Sequence, residues 1–394
     1  MTDSKTLVFQ FTLGPVQGFV AQARRTRDFW AGSFILSWLS SVAIAAIQKQ
    51  GGEIEFPVPD ASYMAYLTGD KAGQDSLPPQ QGSIPNRFRA TTAKVPGDFK
   101  PHWVSEAVHT AWQALAQAVW DGDLQNYAGT PTQTIWQRQI KDFWEVSWVL
   151  SDAQESNLLD RRKNWRNPVL PAEPGHKCMM MDGWQELSGI TAVKMQEVNA
   201  FWSELASTGR NGMASDIAQE GTEHLCAMAF IKRRFSRYFA SVKVELPGCG
   251  GFVHGWRVPS AVPSVAFLAA APWLAKAIDK APGAFAEFHD KASQLVDYSE
   301  AAHIGAGGAG QKGFEIDIAC VKAAAERAPG FDRIWAGLDG QVYFESALEN
   351  YNRIFGPHLR QEARATTHAL RDLVRAADVG LPSPYYAILR MDGD

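Results

Sequence analysis

Asp392-Gly393-Asp394, at the end of this 394-residue sequence, follows an apolar run, Tyr385–Met391. Two carboxylates at i and i+2 on an extended chain share one face, and the glycine between them lets a ligand approach the backbone. Hard oxygen donors at a strand end suit Mg²⁺ carried by a nucleoside triphosphate. A solvated Asp-Gly turn uses the same residues, so spacing alone leaves both readings open. A two-metal site also takes further acidic residues from a neighbouring hairpin; the expectation is that this chain carries only part of one.

Cys178 and Cys226 are the next candidates, in KCMMMD (177–182) and LCAMAF (225–230). A structural zinc site needs two close pairs, and Met181 and Ala229 stand where second cysteines would fall. His176 and His224 could complete a Cys₂His₂ set, but each lies two residues before its cysteine, an unusual geometry. The expectation is a degenerate, empty zinc site with buried thiols, and zinc is not expected as a cofactor. With Cys249 and Cys320 the chain has four cysteines, too dispersed for a disulfide framework.

Two basic clusters could hold phosphates of RNA or nucleotide: Arg24, Arg25 and Arg27, and Lys232, Arg233, Arg234 and Arg237. Solvated helix faces would look the same. His289-Asp290 lacks the further ligands an HD nuclease needs, and His303 does not supply them. AGGAGQKG (306–313) lacks the spacing of a phosphate-binding P-loop, and no GxSxG motif is present.

The elements that would position these residues begin with a strand, Thr6–Leu13, alternating around Phe9 and Phe11. Gly14-Pro15 ends it, and one long helix is expected over Val16–Gln48. Residues 51–96 read as loops with short strands. His102–Trp120 is an amphipathic helix, and Ile135–Leu150 a strand or strand pair. Asp152–Pro174, with Arg161-Arg162-Lys163, reads as a connector. Ala200–Ala206 and Thr222–Phe239 are helical, Pro259–Ala292 forms helices punctuated by Pro263, Pro272 and Pro282, and Gly356–Asp378 is one long helix. Tyr385–Met391 is a strand.

With 46% hydrophobic and 20% charged residues the composition is globular, and 394 residues allow two or three domains. A net charge of −4 excludes a global polycation, so nucleic-acid contact must be local. The fourteen tryptophans, clustered between Trp103 and Trp202, point to thick cores or docking surfaces. Phe29–Ile47 is uncharged and near membrane-span length, but its serines and glycine favour a buried soluble helix. No signal-peptide core precedes it, and a cytoplasmic location is expected.

The segment LGPVQGFVAQARRTRDFWAGSFILS (13–37) closely resembles the first palm-like domain of the large, "Cas ten" family subunit of the type III-B CRISPR effector, the Cmr complex. SIPNRF (83–88), IWQRQIKDFW (135–144), PGHKC (174–178), LCAMAFIKR (225–233), VPSAVPSVA (258–266) and PYYAILRMDGD (384–394) follow in the family's order. The resemblance spans essentially the whole chain and implies an α/β (α+β) fold. A ferredoxin-like palm, related to nucleotidyl cyclases and polymerases, would occupy 1–165. A degenerate zinc-ribbon-like region would follow at 166–255, a mainly helical domain at 256–380, and the first strand of a second, catalytic palm at 381–394.

It also implies a role in an RNA-guided antiviral complex with other Cmr subunits, guide RNA and target RNA, and no membrane. Intact members join ATP into cyclic oligoadenylate when target RNA binds, using Mg or Mn. The resemblance makes Asp392 and Asp394 metal ligands in the intact protein. In the first-palm motif Gly14 and Pro15 make the strand-to-helix turn and Trp30, Gly32 and Ser33 pack it, or Gln17 and Ser33 instead face a nucleotide between palms. Because the sequence opens at the first palm, the family's HD nuclease is not expected in it. This chain would carry scaffold and part of an active site and be inactive alone. A structural, catalytically inactive subunit and one half of a split cyclase are the alternatives.

Overall fold

A computed structural model describes residues 7–75, 77–92, 98–152, 158–161, 173–306 and 316–385. They fall into two compact units, one reaching Val258 and the other spanning Pro259 onward together with residues 25–27.

The first unit is built on strands β1 (Leu7–Gly14), β2 (Glu53–Phe56), β3 (Arg87–Thr91) and β4 (Glu145–Asp152), in the order β2-β3-β1-β4 with every neighbouring pair antiparallel. Helix α1 (Thr26–Lys49) connects β1 to β2, and α3 (Pro101–Val119) lies between β3 and β4. A β-α-β-β-α-β chain in this order is the ferredoxin-like fold of palm domains. β1 is central, and both of its faces are buried: Phe9, Phe11 and Leu13 on one, Val8, Gln10 and Thr12 on the other. Phe11 stacks on its cross-strand partner Phe88 at 4.7 Å, and Phe9 meets Phe99 edge-on at 5.1 Å.

α1 is long and apolar enough to cross a membrane by length and composition, yet most of it is buried in this unit. Two of its serines are satisfied internally: Ser41 Oγ donates to the Trp38 carbonyl, and Ser37 Oγ accepts the Ile84 amide at 2.7 Å. That accounts for an uncharged helix interrupted by hydroxyls. Of the tryptophans, Trp112, Trp136, Trp144 and Trp202 line the core, whereas Trp148 on edge strand β4 is 39% exposed.

The expected single helix over Val16–Gln48 is divided. A π-turn at Gln17–Ala21 precedes α1, and residues 22–25 are not helical. Tertiary contacts make the break: Lys232 Nζ donates to the Phe19 and Gln22 carbonyls at 2.7 and 2.6 Å, and Asp28 reaches back to accept the Arg24 amide at 3.2 Å. A helix that was not expected, α2 (Ala61–Thr68), is capped by Asp60, whose carboxylate accepts the Tyr63 amide. Ile135–Leu150 divides as well. α4 (Thr130–Lys141) buries Thr132, Ile135, Trp136, Gln139 and Ile140, a helical spacing, and only the segment from Glu145 is extended.

The rest of this unit comprises α5 (Leu158–Arg161), α6 (Met195–Ser207), α7 (Met213–Asp216), α8 (Ala227–Tyr238) and a hairpin, β5 (Lys243–Glu245) with β6 (Phe252–His254).

The second unit is helical: α9 (Val265–Lys280), α10 (Pro282–Ala292), α11 (Ala319–Arg327), α12 (Glu345–Glu349), α13 (Tyr351–Ile354) and α14 (Arg360–Ala377). Its core joins Leu274 and Ile278 of α9, Phe285 and Phe288 of α10, and Leu370 and Leu373 of α14. Pro272 does not punctuate the chain as expected but lies inside α9. Burial of Leu274, Ala277 and Ile278 beyond it offsets the lost N–H bond.

Glu300 is buried beneath the cap of α9, accepting the Ser264 amide at 3.2 Å, with His303 Nε2 3.7 Å away. Burial pushes its carboxyl up to about 7, against the bonds from Ser264. Folding therefore takes up a proton between the ordinary carboxylate value and about pH 7, and stability falls as pH rises across that window. Glu300→Gln keeps an acceptor for Ser264 without the charge. It is expected to abolish that decline and to stabilise the protein by about 2–3 kcal/mol at pH 8, read by urea denaturation at pH 5 and pH 8.

Candidate functional site

α8 carries four basic side chains, and the structure turns three of them, Lys232, Arg233 and Arg234, inward. Arg233 is fully buried and uses all five donors. Nε and Nη2 grip Asp28 at 2.7 and 3.0 Å, Nη1 and Nη2 meet Glu223 at 2.8 and 3.0 Å, and Nη1 also reaches the Asp216 carbonyl at 2.8 Å. Arg234, also fully buried, pairs with Asp123 at 2.7 and 3.1 Å and with Asp216. Tyr238 and Arg237 complete the group through Asp123 and Asp216. Burial disfavours the Arg233 charge, but Glu223 and Asp28 more than compensate and hold it ionised.

These residues were expected as phosphate contacts, and the structure corrects that for Lys232 and Arg233. Both lie in the core with their donors committed to the protein. The amphipathic pattern of α8 presents them to α1 and to the turn after α3 rather than to solvent. What sequence reasoning missed are the acidic partners. Asp28 is 205 residues from Arg233 and Asp123 is 111 from Arg234, and separations of that size leave no local pattern.

Lys232 anchors the segment that joins β1 to α1. Besides holding two carbonyls, its ammonium lies 5.0 Å from the centre of the Phe19 ring. Burial lowers its pKa to about 8, with Asp28 opposing. Gly32 admits this crossing: a Cβ there would meet Lys232 Cε at 3.1 Å and Val20 Cα at 3.2 Å. Lys232→Met is expected to cost about 1–3 kcal/mol through the orphaned carbonyls and to accelerate amide exchange locally over residues 17–25, read by hydrogen-exchange mass spectrometry.

Gln17 is exposed on the π-turn, and Ser33 is half-buried on α1 beneath the loop at Gly82, where a Cβ would lie 2.9 Å from the Ser33 carbonyl. Arg24 is exposed, while Arg25 and Arg27 are half-buried and engaged by partners. Gln17 and Arg24 thus flank the segment that Lys232 fixes.

Cys178 and Cys226 come together. Their strands of chain are joined by Met179 N donating to the His224 carbonyl at 2.8 Å and Leu187 N to the Leu225 carbonyl at 3.0 Å. Burial opposes ionisation of Cys178, but the Cys226 thiol and the amides of Cys226, Met181 and Met180 bring its pKa down to about 7; burial and the neighbouring Cys178 push Cys226 up. The imidazoles turn elsewhere, His176 to the Ala192 carbonyl at 2.9 Å and His224 to Asn199 Oδ1 at 2.8 Å. Among the described residues no three His, Cys, Asp or Glu side chains are grouped to hold a metal. In the second unit His289 bonds the Tyr298 hydroxyl and stacks on Trp335. Asp392, Asp394, most of the expected final strand and most of the AGGAGQKG loop lie outside the described residues.

The sheet and its two crossover helices define a palm-type, ferredoxin-like domain with a second, helical unit in the same chain. Residues 8–117, which run from β1 to α3, match the model of the family described as CRISPR-associated protein Cmr2, N-terminal. No curated protein matches the sequence. Among solved structures the chain shares its fold with one described as "Type III-B Cmr-beta Cryo-EM structure of the Apo state", at 14% identity and TM-score 0.53, over 98% of this chain and 44% of the other. A second, "Type III-B Cmr-beta bound to cognate target RNA", aligns over the same shares at 12% identity and TM-score 0.46. The chain therefore spans less than half the length of these solved chains.

Proposed function

We propose that this chain is the amino-terminal, scaffold-bearing portion of the large subunit of an RNA-guided type III-B CRISPR effector. One observation carries the reading: the Cmr2 amino-terminal family match falls on β1, α1, β2, β3 and α3, which supply three of the four strands of the palm sheet and both of its crossover helices. Its partners are other Cmr subunits, guide RNA and target RNA, in the cytoplasm. In the intact protein Asp392 and Asp394 hold Mg or Mn with ATP, and target RNA switches on synthesis of cyclic oligoadenylate. Gln17 and Ser33 contribute to the nucleotide site, and Arg24, Arg25 and Arg27 form the basic edge nearest RNA phosphates.

The test is reconstitution. The protein translated from its native reading frame is assembled with the other Cmr subunits and guide RNA, then given ATP, Mg²⁺ and either matching or scrambled target RNA. Cyclic oligoadenylate formed only with matching RNA is expected. Assembly without product would move the reading to a structural subunit, and product dependent on a second polypeptide to a split cyclase.

A further inference from the structure

We propose that Cys178 and Cys226 are an oxidisable dithiol that closes reversibly to a disulfide, stapling the turn at 176–187 to the amino terminus of α8. The inference stands apart from the effector reading and rests on how the two segments are held. Cys178 N donates to the Trp184 carbonyl at 2.7 Å and Glu186 N to the His176 carbonyl at 3.0 Å, closing a tight knuckle. The Met179–His224 and Leu187–Leu225 backbone bonds pin that knuckle against the segment entering α8. The two thiols are neighbours that perturb each other's ionisation, which brings the sulfurs to be joined side by side across the paired segments.

Three features favour chemistry over inert packing. Cys178 Sγ accepts the Met180 and Met181 amides at 3.4 and 3.3 Å, an arrangement that stabilises sulfur as an anion. Cys178 retains 6% exposure, whereas Cys226 has none, so a small oxidant reaches Cys178 first and Cys226 is placed as the resolving thiol. The imidazoles of His176 and His224 are bonded to Ala192 and Asn199 rather than to the sulfurs.

With hydrogen peroxide as oxidant the steps balance. The Cys178 thiolate attacks one peroxide oxygen, giving a sulfenic acid and expelling hydroxide, which takes a proton to become water. The Cys226 sulfur then attacks Cys178 Sγ, its proton leaves with the departing oxygen as a second water, and the S–S bond forms. Each sulfur gives up one electron and the peroxide is reduced to two waters.

The experiment uses the full chain. It is treated with hydrogen peroxide, denatured, alkylated with iodoacetamide and analysed by intact mass and peptide mapping. Loss of two hydrogens, loss of two of the four alkylation sites, and a cross-linked pair of peptides carrying Cys178 and Cys226 are expected, all reversed by dithiothreitol. Cys226→Ser should trap the sulfenic acid at Cys178 as a dimedone adduct. Alkylation of all four cysteines after peroxide, a cross-link involving Cys249 or Cys320, or stoichiometric zinc held on the two sulfurs of the purified protein would overturn the proposal. The wild-type result does not depend on the folding of any variant.

Discussion

Arg233→Met is expected to lower the stability of the first unit by about 3–5 kcal/mol. The substitution keeps bulk but removes five hydrogen bonds and leaves the Asp28 and Glu223 carboxylates buried without their cation. Domain stabilities lie at about 5–15 kcal/mol, so the loss is a large fraction of the total. It should lower the thermal midpoint by roughly 10 °C in circular dichroism. Arg237→Met touches the same network through Asp216, but its side chain is 28% exposed and water can replace it, so a change within about 1 kcal/mol is expected. Equal midpoints for Arg233→Met and wild type would contradict the buried network. A loss for Arg237→Met as large as for Arg233→Met would contradict its ordering.

If the proposed function holds, replacing Asp392 or Asp394 with alanine in the intact, assembled protein reduces cyclic oligoadenylate synthesis by a factor of about 10³ or more. Removing a metal ligand forfeits several kcal/mol of transition-state stabilisation, and each 1.36 kcal/mol is tenfold in rate. Complex assembly and the thermal midpoint should stay unchanged, because the expected role of these carboxylates is to hold metal. Product quantified by liquid chromatography and mass spectrometry at saturating ATP is the readout. Undiminished synthesis in both variants would remove these aspartates from the metal site.

β1, its turn and the long apolar stretch of α1 were legible in the sequence, because strand alternation and an uncharged helical run are local patterns; the palm itself came only from the family resemblance of residues 13–37. α3 and α14 were legible for the same reason. The break before α1 was not, because it depends on Lys232 and Asp28, which reach it from α8 and from within α1 itself. The strand expected across Ile135–Leu150 turned into a helix followed by a strand, since bulky residues such as Trp136 and Trp144 fit either period. The clustering of Lys232, Arg233 and Arg234 was visible, but its direction was not: a basic run reads as a phosphate grip until its distant carboxylates are placed. The pairing of Cys178 with Cys226 was foreshadowed by matching sequence contexts, while the turning away of His176 and His224 depends on Ala192 and Asn199.

The central claim, that this chain is part of a type III-B effector's large subunit, is tested most directly by association. The tagged protein from its native reading frame is co-expressed with the other Cmr subunits and guide RNA, purified through the tag and sized by native mass spectrometry. One copy of the chain in a complex with those subunits and guide RNA, disrupted by deleting residues 7–119, is the predicted result. Elution of the chain without any Cmr subunit, while the other subunits assemble among themselves, would contradict the account.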